Sequence, residues 1–219
     1  QMKIACVGYR DWALAIYDYL AQQTDHQYLI FRSRAQYDEQ ILEDFHPELV
    51  LFYGWSWVVP EKITKGFKCI MLHPSPLPKY RGGSPLQNQI INGETLSAVT
   101  LFLMDDGIDT GPILAQKEFS IEGDIKDIFA RIRQIGIELT LQLLEQGLNP
   151  IAQKEAEATI YSRRKPWESE ITLEEIQKRP AKYLYNKIRM LQPPYPSAFI
   201  YTADGKRLVI TNAHIKNDP

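Results

Sequence analysis

Residues 69–78, Cys-Ile-Met-Leu-His-Pro-Ser-Pro-Leu-Pro, decide the reading of this chain. An apolar run of strand length (Cys69 to Leu72) ends abruptly at His73, and three prolines in the next few residues pin the backbone that follows. A histidine presented at a strand end by a rigid loop is a candidate for chemistry. The runs upstream are of the same kind: Lys3 to Gly8 (KIACVG), Tyr28 to Phe31 (YLIF) and Leu49 to Tyr53 (LVLFY). Helical spacing separates them over Trp12 to Leu20 and Tyr37 to Phe45. Continuous apolar strands alternating with helices predict a parallel-rich sheet covered on both faces, an α/β fold of Rossmann-like type. Such sheets bind ligands beyond the carboxyl ends of their strands.

Downstream, Ser97 to Met104 reads as a longer strand. A turn over Asp105 to Pro112 leads to another strand reaching Ile121. Asp124 then caps a long helix whose apolar residues Ile125, Ile128, Ile132, Ile135, Leu139 and Leu143 recur at three- or four-residue steps, with Gly147 as its stop. Composition changes after Pro150. The expected division is a catalytic domain over 1–150 and a C-terminal extension over 151–219. The extension comprises a linker, a helix (Ala181 to Leu191) and a β-hairpin (Ser197 to Ala203 and Arg207 to Ile215), too small for a core of its own.

The 219 residues are 44% apolar and 24% charged, which excludes a disordered, collagen-like or coiled-coil chain. A net charge of −2 argues against a duplex-binding protein, so no DNA partner is expected. No apolar run approaches the roughly 20 residues needed to cross a bilayer. The two cysteines, Cys6 and Cys69, sit in strand-like runs and fit a reducing cytoplasm better than a disulfide framework. His26, His46 and His214 are isolated, so no metal site is expected.

Two more segments accompany His73. In Lys79-Tyr80-Arg81-Gly82-Gly83-Ser84-Pro85 the paired glycines permit close backbone approach to a ligand and Ser84-Pro85 opens a helix. Asp105-Asp106-Gly107-Ile108-Asp109-Thr110-Gly111-Pro112 is a carboxylate-rich turn between strands. A histidine and a carboxylate on neighbouring strand ends make a general base and its orienting partner. With neither a serine elbow nor a nucleophilic cysteine beside them, direct transfer to an external nucleophile is expected. Taken singly, each segment also reads as a plain cap, turn or tight loop.

Together, residues 72–114 (LHPSPLPKYRGG…MDDGIDTGPIL) resemble the formyltransferases that use 10-formyltetrahydrofolate. That resemblance implies His73 and Asp109 as catalytic residues and places Met71 where the family carries an asparagine. It implies a folate loop at Tyr53-Gly54-Trp55-Ser56-Trp57-Val58, with Asp105 and Asp106 lining the same side; one of the two tryptophans is expected as a wall and the other as packing. It also implies that the amine of the acceptor attacks the formyl carbon directly. The short extension and the net charge weigh against an added tRNA-binding domain, and Tyr9-Arg10-Asp11-Trp12 resembles the sugar-modifying members of the family. They favour the branch that formylates nucleotide-linked 3- or 4-amino-dideoxy sugars for surface polysaccharides. On that expectation Lys79, Tyr80, Arg81, Gly82, Gly83, Arg163 and Arg164 receive the nucleotide diphosphate, since arginine binds phosphates bidentately. The basic run from Arg163 reads equally as a solvated link. A methionyl-tRNA or other small-amine formyltransferase and a non-catalytic binding homologue stand as alternatives. The hairpin, through Phe199, Ile200, Val209 and Ile210, is the expected homodimer contact.

Overall fold

The computed structural model describes residues 1–218. Its centre is a six-stranded sheet. The first four members are β1 (Lys3–Val7), β2 (Gln27–Phe31), β3 (Leu49–Leu51) and β4 (Lys68–His73). They pair in parallel in the order β2-β1-β3-β4, and β6 (Leu96–Leu103) and β7 (Ile113–Ser120) extend the sheet antiparallel beyond β4. Between them run α1 (Asp11–Gln23), α2 (Glu39–Phe45), α3 (Glu61–Gly66), the two-residue strand β5 (Arg81–Gly82) and α4 (Pro85–Ile91); α5 (Ile125–Gln146) follows β7.

Strand alternation sorts the core into two layers. Ile4, Cys6, Ile70 and Leu72 face α1 and α5, where Ile16, Leu20, Ile128, Ile132 and Leu139 close the larger cluster. Ala5, Val7, Val50 and Cys69 face α2 and α3 through Leu42 and Ile63. The two cysteines therefore lie on opposite sides of the sheet, free and buried. Burial pushes the Cys69 thiol up to about 12, so it stays neutral.

The helix bounds follow local capping. The second helix starts at Glu39 rather than Tyr37 because the Asp38 carboxylate accepts from the Ile41 amide at 2.9 Å. Asp124 and Asp127 form a capping box on α5, which ends at Gly147 as its sequence indicates.

Residues 151–218 wrap back over the sheet. They carry β8 (Ile160–Tyr161), α6 (Leu173–Lys178), α7 (Ala181–Met190), β9 (Ala198–Tyr201) and β10 (Arg207–Ile210). Ile171, Ile188, Met190, Leu191 and Ala198 join the larger core cluster. The second hairpin strand stops at Ile210, short of the expected Ile215. Phe199, expected at a dimer contact, is instead buried within its own chain.

Two polar devices hold the layers. The fully buried Tyr17 hydroxyl donates to the carbonyls of Val7 (2.8 Å) and Leu51 (3.1 Å) and accepts from the Tyr53 amide (2.7 Å), tying α1 to the ends of β1 and β3. Burial holds this phenol well above its ordinary range, so it acts as a neutral adapter. Tyr17→Phe strands those groups. It is expected to cost about 1–3 kcal/mol in denaturant unfolding, because a buried amide left without a partner bears its full desolvation penalty.

In the extension, the buried Lys187 ammonium donates to Glu175 (2.8 Å) and to the Glu170 carbonyl (2.5 Å). Burial alone would raise the Glu175 carboxyl. The bonds from Lys187 and from Thr172 outweigh it and hold that carboxyl below 4.5. Its stabilising effect is thus present above 4.5 and lost as pH falls through the lower folded value. Glu175→Gln is expected to destabilise at neutral pH, with the gap from the unaltered protein narrowing below pH 4.5 in parallel thermal melts. A constant gap would contradict this.

Candidate active site

Alternation along β4 sends Cys69, Met71 and His73 to one face while Ile70 and Leu72 enter the opposite core. His73 ends the strand only 5% exposed. The proline-rich loop after it is held from several sides. Gln89 donates to the Pro74 carbonyl (2.7 Å), Thr100 to the Ser75 carbonyl (2.7 Å) and Gln116 to the Leu77 carbonyl (3.0 Å), while the Ser75 hydroxyl reaches the Lys79 carbonyl (2.7 Å).

The loop thereby brings the Tyr80 carbonyl to 2.8 Å from His73 Nε2. A carbonyl only accepts, so Nε2 carries a proton, and Nδ1 is the nitrogen left to take up another. Asp109 Oδ2 lies 3.6 Å from that Nδ1. A proton arriving there creates an imidazolium facing a carboxylate, the relation of a base to its stabilising partner.

Asp109 sits in the left-handed region at φ 55°, a conformation that costs a non-glycine residue on the order of 1–3 kcal/mol. Its surroundings impose it. The Gly82 amide donates to Oδ2 (2.8 Å), and Gln153 donates to the Asp109 carbonyl (2.8 Å). Asp105 Oδ1 accepts from the Gly107 amide (3.0 Å) and the Thr110 hydroxyl (2.6 Å), closing the turn. A side chain at Gly111 would put its Cβ 1.6 Å from the Leu103 carbonyl oxygen, so only glycine lets the turn rejoin β7. Asp106 is exposed.

Met71 shares the face of His73, packs against the smaller core cluster and offers no hydrogen to an oxyanion. No nearby asparagine replaces it. The Asn88 amide donates to the carbonyls of Gly83 (2.9 Å) and Ser162 (3.4 Å), and Asn92 donates to the hydroxyls of Tyr80 and Tyr161.

The loop after β3 leaves the carboxyl end of the sheet beside the end of β1, where the connections change faces. Tyr53 turns into the core, where its hydroxyl meets Thr140 (2.8 Å), and its amide is committed to the Tyr17 hydroxyl (2.7 Å). Trp55 is buried against Tyr37 and Tyr9. Trp57 is half-buried under the Arg34 guanidinium, and Val58 is 95% exposed. Among the described residues, the main chain from Ser56 to Val59 makes no hydrogen bond to another main-chain group. Apart from the Ser56 carbonyl, which Arg163 approaches at 3.5 Å, its donors and acceptors are left to read the polar edge of a flat heterocycle.

The basic residues expected at a diphosphate are arranged otherwise. The Arg81 guanidinium is buried and committed to Glu155 (2.6 and 3.0 Å) and to Gln153 Oε1 (2.8 and 3.1 Å), leaving no fork for an anion. The paired glycines make room for the chain itself. A Cβ at Gly82 would lie 2.2 Å from the Tyr161 carbonyl oxygen, and one at Gly83 would lie 2.4 Å from the Arg163 amide. Here β5 runs parallel to β8, and Tyr80 stacks on Tyr161 at 4.8 Å. Arg164 is engaged with Glu168 and the Ser84 hydroxyl, Arg163 reaches toward the Ser56 carbonyl at 3.5 Å, and Lys79 is exposed. Gln153, Glu155 and Thr159 complete the site from the extension, and no local pattern in the sequence marks them. Among the described residues no group of three or more His, Cys, Asp or Glu is placed to hold a metal ion, and no helix is long and apolar enough to cross a membrane.

Comparison with known proteins corrects the expected acceptor. The chain is 35% identical over 196 residues to the methionyl-tRNA formyltransferase of Caldanaerobacter subterraneus, an alignment covering 82% of this chain and 60% of that one. The solved methionyl-tRNA formyltransferase from Clostridium thermocellum superposes with a TM-score of 0.91 at 31% identity, over 100% of this chain and 96% of that one. A 4-N formyltransferase from Francisella tularensis shares the fold at 20% identity and a TM-score of 0.77, with 99% of each chain covered. The relatives thus overturn the expectation of a nucleotide-linked amino sugar, and the committed Arg81 gives the physical reason. The chain spans 45–60% of the length of the curated relatives it matches. The family model described as formyl transferase matches residues 14–144, well over half of the chain, which therefore belongs to the formyl transferase family.

Proposed function

We propose that this chain transfers the formyl group of 10-formyltetrahydrofolate to the amine of methionyl-tRNA. The observation that carries the reading is the His73 Nδ1–Asp109 Oδ2 pair at the end of β4, in a chain whose relatives are methionyl-tRNA formyltransferases. The folate supplies an activated formyl carbon. The main chain of Ser56 to Val59 and the faces of Trp57 and Val58 would hold its pterin, beside the turn from Asp105 to Asp109.

The residues of the chain then manage charge and protons. The attacking amine must shed a proton as it becomes an amide, and His73 Nδ1 accepts it while Nε2 keeps its bond to the Tyr80 carbonyl. Asp109 holds the resulting imidazolium in place and lowers its energy, so that the same proton can be returned to the leaving nitrogen.

His73→Ala and Asp109→Asn should each lower formylation of methionyl-tRNA by roughly a hundred- to ten-thousand-fold. Turnover close to normal in either variant would sink the assignment. Met71→Asn should raise turnover about tenfold or more, since one oxyanion donor commonly accounts for two to three orders of magnitude in rate. Turnover seen in Met71→Asn and absent from the unaltered protein would identify a binding homologue instead.

A further inference from the structure

We infer that Gln153 is the positioning residue of the His73–Asp109 pair, a reading that rests on the proposed roles of those two residues. Its carboxamide is almost fully buried, and every hydrogen-bonding capacity it has is used. Nε2 donates to the carbonyls of Asp109 (2.8 Å) and Gly111 (2.7 Å), and Oε1 accepts from Arg81 Nε (3.1 Å) and Nη2 (2.8 Å). Two carbonyls on one side and a guanidinium on the other admit one orientation of the amide.

The two clamped segments are the two that fix the pair. On the Asp109 side, Gln153 holds the carbonyl of the left-handed residue and the carbonyl of the glycine that returns the chain to β7. On the other side it holds Arg81, whose chain neighbours make the decisive contacts. The Tyr80 carbonyl accepts from His73 Nε2 and the Gly82 amide donates to Asp109 Oδ2. Gln153 is thus one side chain away from each partner, and it sets the 3.6 Å between them.

The residue type is demanding. Glutamate would keep the acceptor toward Arg81 but turn carboxylate oxygens on two carbonyls. Methionine keeps the length and loses every bond. The segment that carries Gln153 is itself anchored, since Ile151 exchanges both main-chain hydrogen bonds with Ile113 at the start of β7. The amide is therefore delivered from a fixed strand edge, as a supporting residue should be.

The test compares Gln153→Met and Gln153→Glu with the unaltered protein. Formylation of methionyl-tRNA by 10-formyltetrahydrofolate is measured, and the imidazole signals of His73 are followed by NMR; with four histidines in the chain, His73→Ala assigns them. Both variants should lower kcat by up to about a hundredfold, the effect of a misplacement of around 1 Å, with little change in KM for the donor. They should also displace the His73 signals and shift their pH titration, and Gln153→Met should cost almost nothing further in an Asp109→Asn background. Unchanged His73 signals overturn the inference even if stability falls, as does a loss that simply adds to that of Asp109→Asn. If the unaltered protein formylates no methionyl-tRNA, the functional reading fails. The His73 signals then decide about Gln153 alone: displaced signals support it and unmoved signals overturn it.

Discussion

The hydrogen bond from His73 Nε2 to the Tyr80 carbonyl, 2.8 Å long, is the constraint from which the site follows. It assigns the tautomer, and with it the nitrogen that can receive a proton. It also requires a carbonyl at one spot, and the chain reaches that spot only with Tyr80 in the left-handed region at φ 59°. The surroundings hold that backbone in place: the Tyr80 amide donates to the Thr159 hydroxyl, the Arg81 amide to the Thr159 carbonyl and the Gly83 amide to the Tyr161 carbonyl. Residues 159–161 thus act as a splint for residues 80–83. The splint lies close because two glycines stand where any Cβ would collide with it.

A second set of bonds braces the strand ends and loops beside that site. In a doubly wound sheet the space for a ligand lies where the connections from two neighbouring strands lead to opposite faces, here beyond the ends of β1 and β3. The loops after these strands, Gly8 to Arg10 and Tyr53 to Val59, must part without fraying the strands beneath them. Tyr17 does this from α1 by satisfying the last carbonyls of both strands. Above it, Tyr9 leans on Trp55 and Trp57 and joins its hydroxyl to Ser56 (2.7 Å), so the loop is braced by side-chain contacts and, among the described residues, the main chain from Trp57 to Val59 bonds to no other main-chain group.

The sheet was legible in the sequence because strands buried on both faces must be apolar throughout, and Lys3 to Gly8, Leu49 to Tyr53 and Cys69 to Leu72 are. His73 and Asp109 were legible because prolines and an Asp-Gly turn announce a chain bent to a purpose. What the sequence could not display were the partners of side chains that pair across long stretches of chain. Arg81 beside two glycines looks like a free cation at an open loop until Glu155 and Gln153 fold onto it. Gln153, in a polar link, has no pattern to mark it. Net charge and length mislead about the acceptor for a related reason: they are sums over the whole chain and say nothing of which cations remain unpaired.

Position 71 shows how closely the chemistry is bound to the strand. Because side chains alternate, whatever stands two residues before His73 must face the same space, and in the proposed reaction that space is where charge would develop as an amine adds to a formyl carbon. An amide there would donate to the growing oxyanion; the thioether of Met71 offers only a weak acceptor. The cost of one missing donor is about 3–4 kcal/mol. Part of it can be offset by the surroundings. Met71 packs against the smaller apolar cluster, and a drier wall lowers the local dielectric, which strengthens the attraction between a protonated His73 and Asp109 3.6 Å away. The ion pair then carries stabilisation that an amide would otherwise share. Its separation becomes the quantity the site can least allow to drift, which is why the bonds around Tyr80, Gly82 and Asp109 converge on it from three different parts of the chain.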